Sequence, residues 1–236
     1  MNKKVRSYLV ISRKERWGLT VWGWLIIILL ILIFSTLFLR NLYGILSPVH
    51  RERTDILVLE GFVSDYVLED AAREFKSGHY SLLVTTGTPI EQGALLVQYK
   101  NTARLAAQSL KKMGFDSTRL VIVEAGEIMH DRTYNSGLAF RNWLKTHSPG
   151  AKAVNLMTGS VHGARSRLMF QSALGDSVKV GIISVPNMFY GPYDWWHSSK
   201  GFRETMNEAI GYFYARCFFR PYEKGLHGNQ DPQGNR

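Results

Sequence analysis

His162 and Arg165 have the spacing that most directly suggests chemistry, because they stand three residues apart, just after Thr158-Gly159-Ser160. Residues three apart on a helix share a face, so an imidazole and a guanidinium would lie side by side. Gly159 allows close backbone approach, and the free N–H groups of a helix start attract anions. Phosphate suits this set of groups. The same residues also describe an ordinary strand-to-helix turn capped by Ser160, and the local pattern does not decide between the two.

Carboxylate and aromatic side chains occur in other segments that follow apolar runs. Glu124 and Asp131 could act as a general base or hold hydroxyl groups. Thr133 is expected to cap the helix that follows it. Thr86-Gly87 resembles either a second backbone cradle or a flexible turn. Trp195-Trp196 could stack on a sugar ring, fill a hydrophobic gap or lie against a membrane.

Several common kinds of site are not predicted. The sequence has no Walker A motif, no G-x-G-x-x-G loop and no G-x-S-x-G elbow, which argues against a nucleotide loop and a serine hydrolase. His130, His162 and His197 lie in different segments, with Asp131 and Asp194 nearby, and could ligate zinc. They form no closely spaced ligand pair, so we predict no metal site, and the cofactor stays unknown.

Short apolar runs alternate with helical periodicity between residues 54 and 219. The predicted strands are 56–59, 82–85, 120–123, 154–157 and 180–185, and the predicted helices are 63–76, 98–113, 134–147, 162–174 and 202–218. This alternation predicts an α/β domain with a doubly wound, mainly parallel five-stranded sheet and helices on both faces. Ligands bind at the carboxyl ends of the strands in such a sheet, which is where the candidate residues fall.

A stretch of 22 residues without a charged side chain, 18–39, precedes this domain. As a helix it would be roughly 33 Å long, enough to cross the hydrocarbon core of a bilayer. Six basic residues and one acidic residue come before it, which places the N-terminus in the cytoplasm and the domain outside. We therefore expect a cytoplasmic basic tail (1–17), an uncleaved transmembrane anchor (18–39), a linker (40–53), the exported domain (54–219) and a disordered tail (220–236).

The formal net charge of +10 divides evenly between the basic tail and the rest of the chain. Residues 1–17 contribute +5, from six basic residues and one acidic residue, and the remaining 23 basic and 18 acidic residues contribute +5. A basic tail beside a membrane span follows from topology and anionic lipid, and nucleic acid is rejected as a partner. The single cysteine, Cys217, excludes an intramolecular disulfide.

The segment from Thr158 to Arg165 resembles the V-T-S-x-x-H-x-x-R-A signature of the ElyC/SanA/YdcF family. Glu124 followed by 131–136 is similar to that family's E…S-x-x-T-x-E-N-A segment. Residues 55–59 with Gly61, and 83–87, resemble its V-V-L-G and S-G-G strand ends. The chain departs from these patterns by having Asn135-Ser136 in place of Glu-Asn, Gly159 in place of Ser, and Glu60 before the first glycine.

The resemblance implies a Rossmann-like fold and, for membrane-anchored relatives, a role in cell-envelope biogenesis around peptidoglycan and its lipid carrier. We therefore expect an inner-membrane factor whose periplasmic domain binds or processes a phosphorylated or lipid-linked glycan intermediate. One alternative is a non-catalytic scaffold that docks a membrane partner through Phe189, Tyr190 and Trp195-Trp196. Another is an S-adenosylmethionine- or nucleotide-binding enzyme, which would require a cytoplasmic domain.

These arguments define two sets of candidate site residues. The candidate catalytic residues are Glu124, Asp131 and His162. The candidate ligand-binding residues are Gly61, Thr86, Gly87, Arg132, Thr133, Asn135, Thr158, Gly159, Ser160, Arg165 and Trp195.

Overall fold

The computed structural model describes residues 19–91, 98–126 and 130–222, and it divides the chain into two compact units, 1–40 and 41–236. Helix α1, Val21–Leu46, is 26 residues long and is long and apolar enough to cross a membrane. The Thr20 hydroxyl accepts a hydrogen bond from the Gly23 amide at 3.2 Å and so caps its first turn. This confirms one apolar N-terminal helix. The predicted basic tail lies outside the described residues.

The second unit is an α/β domain built on one six-stranded sheet. Its strands are β1 (Val49–His50), β2 (Ile56–Glu60), β3 (Leu82–Gly87), β4 (Leu120–Glu124), β5 (Ala153–Gly159) and β6 (Lys179–Val185). Its further helices are α2 (Asp65–Ser77), α3 (Thr102–Lys112), α4 (Arg132–His147), α5 (Gly163–Leu174) and α6 (Ser199–Cys217). The strand order is β1-β6-β5-β2-β3-β4, and only β1 runs antiparallel to its neighbour.

The predicted α/β class and mainly parallel sheet are confirmed, but the sheet has six strands rather than five. The additional strand, β1, has two exposed residues that pair with Ile182 and Ile183 of β6. It carries no buried apolar run, so sequence periodicity gave no sign of it.

The sheet buries side chains on both of its faces, because successive side chains of a strand point in opposite directions. Val58 and Val84 belong to a core cluster with residues of α4 and α5. Leu57 and Leu83 belong to a second cluster with residues of α2 and α3. Burial on both sides explains why these strands read as continuous apolar runs.

Residues 41–53 differ from the predicted linker. Helix α1 continues to Leu46, and the Asn155 side chain accepts a hydrogen bond from the Glu52 amide and donates one to the Glu52 carbonyl, at 2.7 and 2.9 Å. At the other end of the domain, Tyr222 packs against Tyr134, so ordered contacts extend into the predicted tail. Residues 223–236 lie outside the described ranges.

The chain adds strands on one side of β2 and then on the other. It passes from β2 to β3 and β4, and later returns to place β5 and β6 on the opposite side of β2. The connections that leave β2 and β5 therefore diverge, and a crevice opens at the carboxyl ends of these two strands. The candidate site lies at this crevice.

Candidate functional site

Four ionisable side chains meet where β2 and β5 end. Glu60 is the last residue of β2, His162 and Arg165 belong to the turn after β5 and the first turn of α5, and Glu208 projects from α6. His162 Nδ1 lies 2.9 Å from Glu208 Oε1, and Arg165 Nε and Nη2 lie 2.8 and 2.9 Å from the two Glu208 oxygens. The expected pairing of His162 with Arg165 on one face is present, with Nη2 and Nδ1 3.0 Å apart.

Glu208 is the electrostatic centre of this cluster. Burial opposes its ionisation, but the hydrogen bonds from His162 and Arg165 outweigh burial and lower the pKa of Glu208 to about 2. Burial also acts to lower the pKa of Arg165, yet the bonds to Glu208 raise it overall. The pair is therefore ionised at neutral pH. His162 Nδ1 bonds to Glu208 as a donor in one tautomer and accepts from Arg165 Nη2 in the other.

The other side of the imidazole faces a second carboxyl group. His162 Nε2 lies 3.8 Å from Glu60 Oε2, which also accepts a 2.7 Å hydrogen bond from the Ser166 hydroxyl. Glu60 is 1% exposed. Among the residues that the structure describes, neither His162 Nε2 nor Glu60 Oε1 has a hydrogen-bond partner. A buried carboxyl group with an unsatisfied oxygen costs stability, and such groups are concentrated at functional sites.

Two cavities flank His162, and both are also lined by Phe62. The first, which we call the serine cavity, measures about 310 Å³ and includes Ser160, Glu204 and Glu208 in its wall. The second, the arginine cavity, measures about 300 Å³. The Phe62 and His162 rings meet edge to face, 5.1 Å between centroids. The imidazole and this phenyl ring therefore stand where the two cavities adjoin.

The serine cavity holds a network of hydroxyl and carboxylate groups. Ser160 has a left-handed backbone, φ +44°, directly after β5, and its Oγ lies 3.0 Å from the Tyr43 hydroxyl. The Tyr190 hydroxyl donates a 2.5 Å hydrogen bond to Glu204, and burial together with this bond raises the pKa of Tyr190. Lys200 Nζ lies 3.9 Å from the other Glu204 oxygen. The cavity thus presents several donors and acceptors suited to a polyhydroxylated ligand.

The arginine cavity contains Arg165 together with Arg132 and Asp131 from the start of α4. Arg132 Nε donates to Thr88 Oγ1 at 2.8 Å, and its Nη1 lies 2.9 Å from Glu91. Asp131 occupies the N-cap position with φ +52°, but its side chain makes no capping hydrogen bond. Thr133, the expected cap, instead lies inside the first turn of α4. Two arginines and the start of a helix therefore contribute to the lining of this cavity.

Asn135 has a structural position beside this cavity. Its Nδ2 donates to the carbonyl oxygens of His130 and Asp131 at 3.2 and 3.1 Å, and to the Tyr222 hydroxyl at 3.0 Å. Asn135 is 4% exposed. Asn135 therefore stabilises the turn that carries Asp131 and does not line the arginine cavity.

The remaining candidates divide between the serine cavity and positions outside both cavities. Thr158 and Gly159 line the serine cavity, and within the described chain Thr158 Oγ1 has no hydrogen-bond partner. Glu124 makes two hydrogen bonds with Arg104, at 2.6 and 2.9 Å, and lines neither cavity. Trp195 is 1% exposed and belongs to a core cluster. Of its three predicted roles, filling a hydrophobic gap is therefore the one that matches its position.

Gly61 and Gly87 pack against the start of α3, and the Thr86 carbonyl pairs with Gly61, so these residues do not form an open cradle. A Cβ atom on Gly61 would lie 2.5 Å from the Thr102 carbonyl oxygen, and one on Gly87 would lie 2.6 Å from the Ala103 nitrogen. The Gly61 amide donates to the Thr86 carbonyl at 2.7 Å. These glycines permit close contact between backbone segments.

Gly61→Ala is accordingly expected to lower the free energy of unfolding by about 1–3 kcal/mol, because the added methyl group meets backbone atoms that must shift. Gly150→Ala is the control, since a Cβ there has no atom within 4 Å in the part of the chain that the structure describes. Thermal unfolding of the full-length chain in detergent, followed by circular dichroism, measures both. Equal midpoints for the two variants would contradict the packing role.

The candidate site residues omitted five side chains that the structure places at the site, although Tyr190 was named as a docking residue of the scaffold alternative. These are Tyr43, Glu60, Tyr190, Glu204 and Glu208. Glu60 stands at the carboxyl end of a buried strand, and this position is a signal from which it could have been predicted as a site residue. Glu204 and Glu208 are four apart on an amphipathic helix, so they share a face. Tyr43 carries no such signal, because it comes from the segment predicted as a linker.

No protein-family model matches this chain, and no curated protein matches it in sequence. The resemblance to the ElyC/SanA/YdcF family therefore stays a prediction. Across residues 19–91, 98–126 and 130–222, no group of three or more His, Cys, Asp or Glu side chains is arranged to hold a metal ion.

Proposed function

We propose that this protein is a membrane-anchored cell-envelope factor, a divergent member of the ElyC/SanA/YdcF family, that binds or processes a phosphorylated or lipid-linked glycan intermediate. The apolar helix α1 and the six basic residues before it support an inner-membrane anchor with a periplasmic domain. The reversal of strand order at β2 supports a Rossmann-like, doubly wound arrangement. The observation that carries the proposal is the pair of chemically different cavities that adjoin at His162.

The phosphate group belongs in the arginine cavity. Arg132 and Arg165 are each held by a carboxylate, which orients the guanidinium without using all of its five N–H donors. Within the described residues, Nη1 of Arg165 makes no hydrogen bond and is available to a ligand. A planar guanidinium matches phosphate oxygens in pairs, and the start of α4 adds backbone N–H groups.

The glycan belongs in the serine cavity. Glu204, Asn187 and Asn207 line it, and carboxylate and amide groups are the side chains that pair with sugar hydroxyl groups. Phe62 stands between the cavities and offers an apolar face to a sugar ring. A ligand that spans both cavities would pass His162 at the bond between sugar and phosphate.

His162 is our candidate for proton transfer in any processing step, and this role requires its Nε2, which is buried 3.8 Å from Glu60 Oε2, to become accessible to the ligand. Its ring lies between the carboxyl groups of Glu60 and Glu208, and Arg165 holds Glu208 in place. A carboxylate that orients an imidazole is the arrangement used in general acid–base catalysis. Glu208 and Glu60 would act as positioning and proton-sharing groups, and the proposal assigns no step to Glu124, which lines neither cavity.

Ligand-induced stabilisation of the full-length chain in detergent tests the proposal. The ligands are inorganic pyrophosphate, a polyprenyl phosphate and a polyprenyl diphosphate sugar. Ligand at 100 times its Kd should raise the free energy of unfolding by about 2.7 kcal/mol. Arg132→Gln should weaken binding roughly tenfold to a hundredfold, the usual value of a hydrogen bond to a charged group. Arg104→Gln is the matched control, since Arg104 also pairs with a carboxylate but lines neither cavity.

Each outcome bears on a separate part of the proposal. Equal affinity of the Arg132→Gln variant and the wild type would remove the arginine cavity as the phosphate site. Binding of pyrophosphate without preference for the sugar-linked lipid would remove the serine cavity as the glycan site. Stabilisation by none of the ligands would contradict the whole proposal and favour the non-catalytic scaffold.

A further inference from the structure

Helix α6 carries an exposed apolar face that the cavities do not use. Phe202, Ile210, Phe213 and Tyr214 are each at least half exposed. Their spacing of eight, three and one residues places them within one third of the helix circumference. Thr205 and Ala215, on the opposite side, are buried in the domain. A stripe of large apolar side chains turned away from the core marks an interaction surface.

The charges on α6 are divided between its two sides. Its carboxylates Glu204 and Glu208 belong to the cavity side, where they bind Tyr190 and the His162–Arg165 pair. Arg203 and Arg216, in contrast, are exposed. The outward side of the helix therefore combines aromatic and aliphatic groups with positive charge. That combination is typical of helices that lie in the interface of an anionic bilayer.

The same helix is tied to the residues that follow the proposed anchor. Leu42, Tyr43 and Leu46 are buried in one core cluster of the second unit. Met206, Ala209 and Tyr212 of α6 pack against that cluster. Only two residues separate Leu42 from the uncharged stretch that ends at Leu39. If residues 18–39 cross a bilayer, chain connectivity keeps Leu42 within a short distance of the lipid headgroups, and α6 packs against the cluster that contains Leu42.

We propose that the outward face of α6 lies on the surface of an anionic lipid bilayer, with its aromatic side chains at the level of the headgroups. This inference rests on the proposed membrane anchor, but not on the proposed ligand. The contact would present the adjoining cavities to lipid-linked molecules in the plane of the membrane. The occupant is lipid rather than a protein, because the face pairs aromatic groups with cations and its helix packs against the residues that follow the proposed anchor.

Cys217 provides the test, because it is the only cysteine of the chain, is exposed and ends α6. A bimane fluorophore on Cys217 of the full-length chain is placed in vesicles of phosphatidylcholine and phosphatidylglycerol that contain lipids with acyl-chain nitroxides. We expect the nitroxide to quench most of this fluorescence. Lys112→Cys in a Cys217→Ser background is the control at the end of α3, and its label should stay bright. Phe213→Glu should relieve quenching at Cys217.

A third label separates failure of this inference from failure of the anchor. Ile31→Cys in the Cys217→Ser background reports on the proposed span. Quenching at position 31 but not at 217 would overturn the lipid-docking inference and leave the anchor in place. No quenching at either position would contradict the membrane anchor itself. Cross-linking of two copies through Cys217 in vesicles, without quenching, would identify a second copy as the occupant and overturn the lipid contact.

Discussion

Trp195→Ala is expected to lower the free energy of unfolding by about 3–5 kcal/mol, the usual cost of removing a buried tryptophan. The indole is 1% exposed and shares a core cluster with Leu46, Tyr43 and Tyr190. This cluster joins the end of α1 to the turn before α6, so a cavity there would loosen both. For a domain of this size, each kcal/mol corresponds to roughly 2–4 °C in Tm.

The neighbouring tryptophan is a matched control for this prediction. Trp196 is 38% exposed, and Trp196→Ala should change the free energy of unfolding by about 0.5 kcal/mol or less, as surface substitutions do. Thermal unfolding of full-length chains in detergent, followed by circular dichroism, compares the two. If Trp195→Ala instead weakened ligand binding and left Tm unchanged, Trp195 would be a stacking residue and not a core residue.

Glu208→Ala is expected to cost about 3 kcal/mol, because it leaves the Arg165 guanidinium partly buried without its carboxylate. Glu204→Ala, one turn earlier on α6, is the control. The Glu204 side chain is 43% exposed, against 19% for Glu208, and its partners include the neutral Tyr190 hydroxyl and Lys200 at 3.9 Å. Its loss leaves no buried charge unpaired and should therefore cost less. Equal losses for the two variants would contradict the larger contribution that we assign to the buried Glu208 cluster.

The depressed pKa of Glu208 also predicts how stability depends on pH. The pKa falls from its ordinary value of 4.5 to about 2 in the folded chain. The contribution of Glu208 is therefore complete above about pH 4.5 and is lost as the pH falls through the folded-state value. This depression corresponds to about 3 kcal/mol.

Glu208→Gln should remove that pH dependence. Its unfolding free energy should start lower at pH 6 and should fall less than that of the wild type between pH 4.5 and 2. Denaturant titrations of both chains at a series of pH values give this difference. Parallel curves for the two chains would exclude Glu208 as the group whose protonation destabilises the domain in acid.

Local sequence patterns determined the helices and the parallel strands of this protein. A helix that crosses lipid requires an uncharged stretch, which the sequence shows directly. Apolar runs that alternate with helical periodicity are also recognised from neighbouring residues alone. Both led to an apolar N-terminal helix long enough to cross a membrane and to a mainly parallel α/β domain. The pairing of His162 with Arg165 was equally local, because two residues three apart on one helix must be neighbours.

Only the tertiary structure decided which distant residues join His162 and Arg165 in the site. Glu60 lies near the start of the domain's sequence and Glu208 near its end. The Tyr43 hydroxyl contacts Ser160, which is 117 residues away in the sequence. Strand order placed Glu124 away from the cluster, because β3 separates β4 from β2. The burial of Trp195 depended on the end of α1 packing beside it. A sequence records which groups follow a strand, but packing between distant segments sets which of them share a cavity.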